Sequence, residues 1–370
     1  MVSITGIHGY PLKSAAGLSL TSALVTREGL AGDRRYMLAK PDGSFVTART
    51  HPRLQRVVVT PVAGGLELEF AGRRLSVRHR QFSRQPVRTG VWDDDFVAYG
   101  THPDYDAWFS GVLSEPVQLL WLGDKSNRYR SKLGTAVSFA DGYPLLLISE
   151  ASLADLNRRA GLDLDMARFR PNLVVRGQRP FEEDGWRRIR VGEVEFLVAK
   201  PCSRCIMTTI VAGTERFHAH KEPLATLARY RRGADGEVYF GQNLVALNEG
   251  EIRAGDQVEV LEYATAPVYP NLGEAAPREA EVSRETATLQ VRIGEQGFTG
   301  NNQHSLLTQA EQHGLPLSYS CRAGLCGRCK LTLLSGEVHQ PEAPALPAAE
   351  RAAGKVLACC CVPLSDVTLA

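Results

Sequence analysis

The sequence predicts a β-rich α+β protein made of several domains. Short stretches that alternate apolar and polar residues recur through the first 262 residues, separated by glycine-containing turns, and indicate β-strands. Patterns with helical spacing are few and short. A change to a proline- and alanine-rich composition at residues 263–286 separates this part from the last 84 residues. At about 150 residues per domain, the 370 residues are enough for two or three domains.

Strands joined by tight turns are predicted in the first 80 residues. The run Val57-Val58-Val59 is β-branched, and residues 66–70 alternate with a period of two. Asp42-Gly43 lies between two apolar stretches and is typical of a hairpin turn. Two further turns are predicted at Gly64-Gly65 and Gly72-Arg73.

Two helices are predicted in the middle of the chain, at residues 103–115 and 150–160. For the second helix, Ser149 is a candidate N-cap and Gly161 a candidate end. Further strands are predicted at residues 145–148, 189–199, 206–211 and 236–262. The prolines of residues 263–286 predict a semi-extended linker, and the last part of the chain starts again with a strand at residues 288–293.

The composition excludes several classes of protein. Hydrophobic residues make up 44% and charged residues 23%, which is ordinary globular usage and argues against collagen or disorder. A net charge of +2 does not favour nucleic-acid binding, which depends on neutralising phosphates. Neither a membrane-spanning apolar run nor a signal peptide is recognisable. We therefore expect a soluble cytoplasmic protein with neither a nucleic-acid nor a membrane partner.

The C-terminal cysteines predict an iron–sulfur cluster. Cys321-x4-Cys326-x2-Cys329, followed by cysteines near residue 360, is the spacing of plant-type 2Fe–2S ferredoxins. Gly324 and Gly327 supply the backbone freedom that a loop needs to wrap around a cluster. Arg322 and Arg328 would place positive charge beside the anionic cluster. A zinc site and unreactive thiols are the alternatives.

The spacing leaves the fourth ligand open, because residues 359–361 are all cysteines. If they continue a strand, Cys360 should face away from the other two. Residues 287–370 resemble the β-grasp 2Fe–2S ferredoxin family through the motifs at residues 320–329 and 356–359. The resemblance implies that Cys359 is the fourth ligand and that a short helix at residues 305–313 ends at Gly314. Cys360 and Cys361 are then expected to be small buried residues.

The other two cysteines form Cys202-Ser203-Arg204-Cys205. A zinc finger is disfavoured, because His218 and His220 follow with only one residue between them. A thioredoxin-like dithiol would lead into a helix, whereas residues 206–211 are strand-like. The remaining interpretation is a single soft thiolate that binds a redox metal, with Arg204 lowering its pKa.

A family resemblance favours the last interpretation. Residues 201–209 resemble the MOSC domain, which is shared with molybdenum cofactor sulfurases. The segments at residues 10–14, 32–36 and 46–49 resemble the β-barrel that precedes it. Further segments resemble the mitochondrial amidoxime-reducing components, at residues 149–157, 169–172, 221–224 and 240–242. With the ferredoxin part, the architecture resembles YcbX-like MOSC proteins.

The resemblance implies a domain plan and two cofactors. Residues 1–100 would form the MOSC N-terminal β-barrel domain, 101–262 the MOSC β-barrel, 263–286 the linker and 287–370 the ferredoxin domain. A molybdopterin-type molybdenum cofactor would bind the first part and a 2Fe–2S cluster the last. Pyridoxal phosphate is not expected.

The resemblance also implies residues for the molybdenum site. Cys205 matches the metal ligand, and Asp141 matches an acidic residue near the metal that is not a ligand. Both are expected to be catalytic, with Asp141 positioning substrate or relaying a proton. Gly142 and Tyr143 stand where the family has a hydroxyl pair, and Asn243 where it has an aromatic residue. The positions that match cofactor contacts are Lys13, Ser14, Arg34, Gly142, Tyr143, Arg170, Ser203, Arg204 and Asn243.

The function implied is a molybdenum-dependent reductase of N-hydroxylated compounds: hydroxylamines, amidoximes and N-hydroxylated bases such as 6-hydroxylaminopurine. An external NADPH-dependent flavoprotein would supply electrons through the 2Fe–2S cluster. This chemistry is a detoxification. Two alternatives remain open, a sulfur-transfer protein with a persulfide on Cys205 and a module that delivers cofactor to a partner.

Overall fold

A computed structural model describes residues 2–131, 134–271, 286–319 and 321–370. The chain divides into two compact units. The first comprises Met1–Cys202, Ile210–His218 and Phe240–Pro267, and the second comprises Ser203–Thr209, Ala219–Tyr239 and Val268–Ala370.

The strands, in chain order, are β1 (Val2–Gly9), β2 (Leu18–Leu20), β3 (Ser22–Thr26), β4 (Gly29–Leu30), β5 (Tyr36–Ala39), β6 (Phe45–Val46), β7 (Val58–Val62), β8 (Gly65–Phe70), β9 (Arg73–Arg78), β10 (Pro86–Val91), β11 (Asp94–Gly100), β12 (Gln118–Trp121), β13 (Tyr129–Arg130), β14 (Thr135–Ala136), β15 (Leu145–Ser149), β16 (Leu173–Arg176), β17 (Trp186–Val191), β18 (Val194–Ser203), β19 (Tyr239–Ala246), β20 (Gly250–Arg253), β21 (Gln257–Tyr263), β22 (Thr288–Ile293), β23 (Gln296–Asn301), β24 (Lys330–Ser335), β25 (Val338–His339), β26 (Lys355–Leu357), β27 (Val362–Pro363) and β28 (Val367–Leu369). The helices are α1 (Pro103–Leu113), α2 (Glu150–Ala160), α3 (Leu224–Tyr230), α4 (Leu306–Gln312) and α5 (Ala348–Ala352).

Seven strands close into a barrel in the order β16, β15, β19, β18, β17, β21 and β1, and β1 then pairs back with β16. Alternate side chains of these strands fill the interior, among them Ile7 and Phe196, which are fully buried. The predicted β-barrel is confirmed. The first strand of the chain lies in the same barrel as strands from residues 145–263, while the predicted domain boundary near residue 100 stays a prediction.

A five-stranded sheet, in the order β10, β11, β12, β5 and β6, and the three-stranded meander β7–β8–β9 complete most of the first unit. The Asp42-Gly43 turn joins β5 to β6, which pair antiparallel. The other two predicted turns also join paired strands, Gly64-Gly65 between β7 and β8 and Gly72-Arg73 between β8 and β9. All three predicted hairpins are confirmed.

Both helices predicted in the middle of the chain form, and the residues at their ends explain where they begin and stop. The Ser149 hydroxyl accepts a hydrogen bond from the Ala151 amide at the start of α2, and Gly161 ends that helix in a left-handed conformation. Helix α1 ends at Leu113, two residues before the predicted end, because Ser114 adopts a left-handed conformation. The predicted strands at residues 145–148 and 288–293 correspond to β15 and β22.

The predicted strand at residues 206–211 is wrong. Residues 206–209 form a turn of 3₁₀ helix instead. The Thr208 hydroxyl donates to the Cys205 carbonyl and the Thr209 hydroxyl to the Ile206 carbonyl, each at 2.9 Å. Threonine therefore closes a local turn here, although its β-branched side chain favours strands in general.

The C-terminal part of the second unit is a mixed sheet in the order β23, β22, β28, β24 and β26. Strands β22 and β28 pair in parallel and the neighbouring pairs are antiparallel. Helix α4 packs Leu306 and Leu307 into the core beneath the sheet. Its N-cap is Ser305, and Gly314 follows it in a left-handed conformation, so the predicted helix and its end are confirmed.

The expectation that Cys360 faces away from its neighbours is wrong. The Leu357 carbonyl accepts hydrogen bonds from the amides of Cys360 and Cys361, at 3.0 and 2.9 Å, so the chain turns after β26. The alternation of a strand does not apply in a turn. The Cys360 thiol is half-buried and lies within hydrogen-bond reach of the Cys359 thiol, whereas Cys361 is fully buried.

Most of the predicted linker, residues 272–285, lies outside the described residues. Within the described ranges, none of the helices combines the length and the apolar character needed to cross a bilayer.

A buried carboxylate beside the barrel has a perturbed acidity. Burial raises the pKa of Glu183 from 4.5 to about 7, although Ser152 and the Ser149 amide donate hydrogen bonds to Oε1. Its Oε2 is buried and has no hydrogen-bond partner within the described part of the chain. The folded protein therefore holds a proton that the unfolded chain releases between pH 4.5 and 7, and stability falls as pH rises through that window.

The Glu183→Gln variant should lack this pH dependence, because an amide does not ionise. Relative to the wild type, its free energy of unfolding should increase by on the order of 3 kcal/mol between about pH 4.5 and about pH 8. Urea unfolding across that range measures the difference. The exposed Glu193→Gln variant is the control, and a constant difference at all pH values would contradict the assignment.

Candidate functional site

The loop of residues 321–329 is shaped to direct backbone N–H groups at sulfur. The Cys321 Sγ accepts hydrogen bonds from the amides of Ala323, Leu325 and Cys326 at 3.2–3.4 Å. The Gly324 amide donates to the Cys359 Sγ at 3.3 Å. Such donors stabilise the negative charge of thiolates. Gly324 has a φ of 70°, and a Cβ there would lie 2.9 Å from the Ala343 side chain, so only glycine fits.

The four predicted cluster cysteines gather at this loop. The Cys321 thiol lies within hydrogen-bond reach of Cys326 and Cys359, and the Cys359 thiol within reach of Cys329. No three His, Cys, Asp or Glu side chains of the described ranges form a group suited to a single metal ion. A 2Fe–2S cluster does not require one, because each of its irons takes two protein thiolates. Four adjacent thiols with N–H donors therefore fit a 2Fe–2S cluster.

The two arginines of the loop are held by carboxylates. Arg322 forms an ion pair with Glu311 and stacks on Tyr319 at 4.1 Å from the ring centroid. Arg328 forms an ion pair with Glu237 at 2.8 Å.

In the first unit, two predicted site residues, Lys13 and Asp141, contact each other. The Lys13 Nζ lies 2.5 Å from Oδ1 of Asp141, and Arg49 lies 2.6 Å from Oδ2. The Lys13 and Arg49 side chains are buried, whereas the Asp141 side chain is half-exposed. Arg128 fixes the same loop, because its guanidinium donates to the Asp141 carbonyl at 3.0 Å and to the Ser138 carbonyl at 2.9 Å.

Burial and these contacts shift the pKa values of Lys13 and Asp141. Desolvation lowers the pKa of Lys13 to about 8, although Asp141 partly restores it. Desolvation by itself would raise the pKa of Asp141, but Arg49 and Lys13 outweigh it and hold that pKa well below its usual range. Asp141 is therefore an anion at neutral pH, and Lys13 is a cation close to its titration.

Two further predicted residues, Arg34 and Arg170, meet over one aromatic ring. Their guanidinium carbons lie 4.3 and 4.2 Å from the centroid of Tyr10. Arg34 pairs with Asp33 at 2.5 Å, and Arg170 donates to the Ala15 carbonyl at 2.5 Å. Burial lowers the pKa of Arg170 to about 10.

Three of the predicted cofactor-binding residues share a strained backbone. Ser14, Arg34 and Arg170 have φ values of 69°, 47° and 55°. Residues other than glycine rarely adopt this left-handed region, and it costs of order 1–3 kcal/mol each where it is sparsely populated. Strain of this kind concentrates at ligand-binding and active sites. Seven other described non-glycine residues also have a positive φ, so this conformation agrees with the predicted binding role but is not confined to it.

The first unit thus collects more positive than negative charge at these positions. Among the described residues, Lys13, Arg34, Arg49 and Arg170 lie near two carboxylates, those of Asp33 and Asp141. Excess cations in a half-buried setting fit a ligand that carries a phosphate. A pterin cofactor with a terminal phosphate is such a ligand.

The remaining predicted residues of the first unit make weaker contacts. The Gly142 carbonyl accepts from Arg130 at 3.1 Å, and Tyr143 lies beneath Lys200, with the ammonium 5.5 Å from its ring centroid. Asn243 donates to the Pro201 carbonyl at 3.3 Å.

In the second unit, Ser203, Arg204 and Cys205 link the end of β18 to the 3₁₀ turn. The Cys205 side chain is half-buried. Its carbonyl accepts a hydrogen bond from the Thr208 hydroxyl of the turn that follows. The Arg204 amide donates to the Val238 carbonyl at 2.7 Å. A thiol held at the start of a short turn can serve as a soft ligand for a metal.

Sequence reasoning did not single out Asp33, Arg49 and Arg128 as site residues. Asp33 and Arg49 lie inside the motifs at residues 32–36 and 46–49, so a search for counter-ions of Lys13 and Arg34 in these motifs would have found them. Arg128 has no motif around it, and only the structure shows its contacts.

Models of three protein families match the chain. The MOSC N-terminal beta barrel domain matches residues 1–116, the MOSC domain residues 134–259, and the 2Fe-2S iron-sulfur cluster binding domain residues 291–364.

Individual proteins match the first two parts of the chain. The mitochondrial amidoxime reducing component 2 of Rattus norvegicus is 33% identical over 280 residues, covering 69% of this chain and 82% of its own length. The corresponding component 1 of Homo sapiens is 30% identical and covers 68% and 81%. The molybdenum cofactor sulfurase of Oryza sativa subsp. japonica is 32% identical, but this chain spans only 33% of its length.

The Asp141→Asn variant should destabilise the protein, because Lys13 and Arg49 would keep buried charges without their counter-ion. We expect a loss of about 1–2 kcal/mol at neutral pH, at the low end for buried pairs because Asp141 is half-exposed. The pKa of Lys13 should then fall below about 8, so the loss should shrink between about pH 6 and about pH 9 as Lys13 becomes neutral.

Urea unfolding of the Asp141→Asn variant at several pH values measures this loss. The exposed Asp163→Asn variant is the matched control. A stability equal to that of the wild type at all pH values would show that the three side chains do not form the charge network described.

Proposed function

Because the chain belongs to the MOSC-domain family of the mitochondrial amidoxime reducing components and the molybdenum cofactor sulfurases, we propose that it is a molybdenum-dependent reductase of N-hydroxylated compounds. The family matches indicate two redox groups, a molybdenum cofactor and a 2Fe–2S cluster. Hydroxylamines, amidoximes and N-hydroxylated bases are the proposed substrates.

The observation that carries the proposal is the presence of a cluster loop and a MOSC domain in one chain. The loop gathers four thiols with N–H donors, as one-electron transfer by a 2Fe–2S cluster requires. Sulfur transfer through a persulfide needs no electron carrier. The cluster therefore favours a reduction over sulfur transfer.

The proposed reaction is the conversion of R–NHOH, two electrons and two protons into R–NH₂ and water. When bound, the molybdenum cofactor would supply the two-electron redox chemistry that N–O bond cleavage needs. The cluster carries one electron at a time, so two deliveries complete one turnover. We propose an external NADPH-dependent flavoprotein as the source of these electrons.

Residues of the chain itself would hold the metal and the pterin. We propose that Cys205 holds the metal as a thiolate, beside Ser203 and Arg204. Lys13, Ser14, Arg34 and Arg170 would bind the phosphate end of the pterin, because Lys13, Arg34 and Arg170 are cations and the Ser14 hydroxyl can donate a hydrogen bond. Gly142, Tyr143 and Asn243 would line the cofactor with weaker contacts.

Asp141 is better suited to positioning than to proton transfer. Its pKa is held well below its usual range, so it carries no proton to donate at neutral pH. We therefore propose that Asp141 acts by orienting Lys13 and Arg49 and not as a proton donor.

The Cys205→Ser variant should lose both molybdenum and reductase activity, because a serine hydroxyl is a poor ligand for a soft metal site. The visible spectrum of the 2Fe–2S cluster should remain unchanged. Metal analysis, turnover of benzamidoxime with a reduced dye and absorption spectroscopy measure the three quantities. The Cys202→Ser variant is the control for loss of a neighbouring thiol and should retain molybdenum.

Full activity of the Cys205→Ser variant would remove Cys205 from the proposed metal site. Detection of a persulfide on Cys205 by mass spectrometry, together with no reduction of any N-hydroxylated compound, would favour sulfur transfer instead.

A further inference from the structure

A short hairpin in the second unit contacts the cluster loop. Residues 232–238 follow α3 and fold back on themselves, with Arg232 and Val238 forming an antiparallel bridge. The Gly233 amide donates to the Glu237 carbonyl at 2.9 Å, and the Gly236 amide donates to the Gly233 carbonyl at 3.0 Å. The Asp235 carboxylate accepts from the Glu237 amide at 3.1 Å. These bonds give the hairpin a defined shape.

One side of this hairpin contacts the cluster loop at two points and the segment that follows the loop at a third. Glu237, whose side chain is only 10% exposed, pairs with Arg328 at 2.8 Å. Arg232 donates to the Pro344 carbonyl at 2.8 Å. Gly236 lies against the carbonyl of Cys326, and a Cβ at this position would overlap that oxygen. Only glycine allows the backbone to approach this close, and its φ of 81° is also one that favours glycine.

The last residue of the hairpin is joined to the segment that carries Cys205. The Val238 carbonyl accepts the Arg204 amide at 2.7 Å, and Arg204 immediately precedes Cys205. A continuous series of contacts therefore runs from Cys326 through residues 236–238 to Arg204 and Cys205. It consists of one van der Waals contact, the backbone of the hairpin and one hydrogen bond.

We propose that hairpin 232–238 positions the cluster loop against the Cys205 segment and provides the short path by which electrons pass between them. This inference rests on the proposed reductase function, in which Cys326 is a cluster ligand and Cys205 a metal ligand. Electron tunnelling falls steeply with the width of any gap, so a bonded path with one close contact favours rapid transfer. Each step would pass one electron from the reduced cluster to the oxidised metal centre held by Cys205, and the external flavoprotein would then reduce the cluster again.

Glu237 and Arg328 are positioning residues in this scheme. Neither reacts, but their ion pair fixes the distance between the hairpin and the Cys326 carbonyl. Because Glu237 is largely buried, reversing one charge places two like charges together in a poorly hydrated contact and should loosen it. Exchanging the two charges should restore it.

The test compares the full-length protein with Glu237→Lys, Arg328→Glu, the exchange Glu237→Arg with Arg328→Glu, and the exposed control Glu342→Lys. Hydrogen–deuterium exchange on protein without molybdenum reports the contact directly. Peptides that cover residues 203–209 and 232–239 should exchange faster in both single variants. They should regain wild-type protection in the exchanged pair, and Glu342→Lys should match the wild type.

A second measurement gives the rate at which the reduced cluster loses its electron. Protein loaded with molybdenum is reduced with dithionite and mixed with benzamidoxime, and the reoxidation of the cluster is recorded by its visible absorbance. This rate is divided by the steady-state rate of benzamidoxime reduction with reduced methyl viologen as the electron donor. The ratio should fall by about tenfold or more in the single variants and recover in the exchanged pair.

Wild-type exchange and an unchanged ratio in both single variants would overturn the inference. A lowered ratio in the single variants that the exchanged pair does not restore would also overturn it. If wild-type protein fails to reoxidise its cluster with any N-hydroxylated compound, the proposed function fails instead, and the exchange measurement still tests the contact. If Glu237→Lys loses its cluster spectrum, the half-exposed Arg328→Glu variant carries the test.

Discussion

The closure of the barrel by β1 and β16 is the constraint on which the cationic site of Lys13, Arg34, Arg49 and Arg170 depends. The two strands run antiparallel, with Ile7 opposite Leu173, so the chain leaving β1 lies beside the chain entering β16. Tyr10 and Arg34 therefore meet Arg170 and the Pro171 carbonyl, which accepts from the Tyr10 hydroxyl at 3.0 Å. Residues more than 130 positions apart in sequence form one site because the barrel closes there.

Charge and backbone strain then act together at this site. The buried Lys13 and Arg49 need Asp141, and Asp141 in turn stays ionised because of them. The left-handed conformations of Ser14, Arg34 and Arg170 persist because hydrogen bonds and packing around them outweigh their cost. The cationic side chains are therefore held in place by the protein itself, as the proposed binding of an anionic group would require. In the proposed function, electrons would arrive from the loop of four cysteines, which the hairpin of residues 232–238 contacts.

Much of this arrangement could be predicted from the sequence. Local patterns and motif spacing predicted the β-rich class, the three tight turns, both long helices and the gathering of the C-terminal cysteines, whereas the barrel came from the family resemblance. The turn at residues 206–209 was missed because threonine hydroxyls bond to nearby carbonyls, which a period-based argument ignores. Cys360 was misplaced because strand β26 ends at Leu357. The pairings of Arg49, Arg128 and Glu237 join distant segments, so no local pattern encodes them.

The account as a whole requires two different metals in one chain. The most direct measurement is the content of molybdenum and iron per chain, on protein made in a host that synthesises the molybdenum cofactor and purified without oxygen. The account predicts about one molybdenum and about two irons per chain, as one MOSC cofactor and one 2Fe–2S cluster require. About two irons without molybdenum, even after addition of the cofactor, would contradict the reductase proposal.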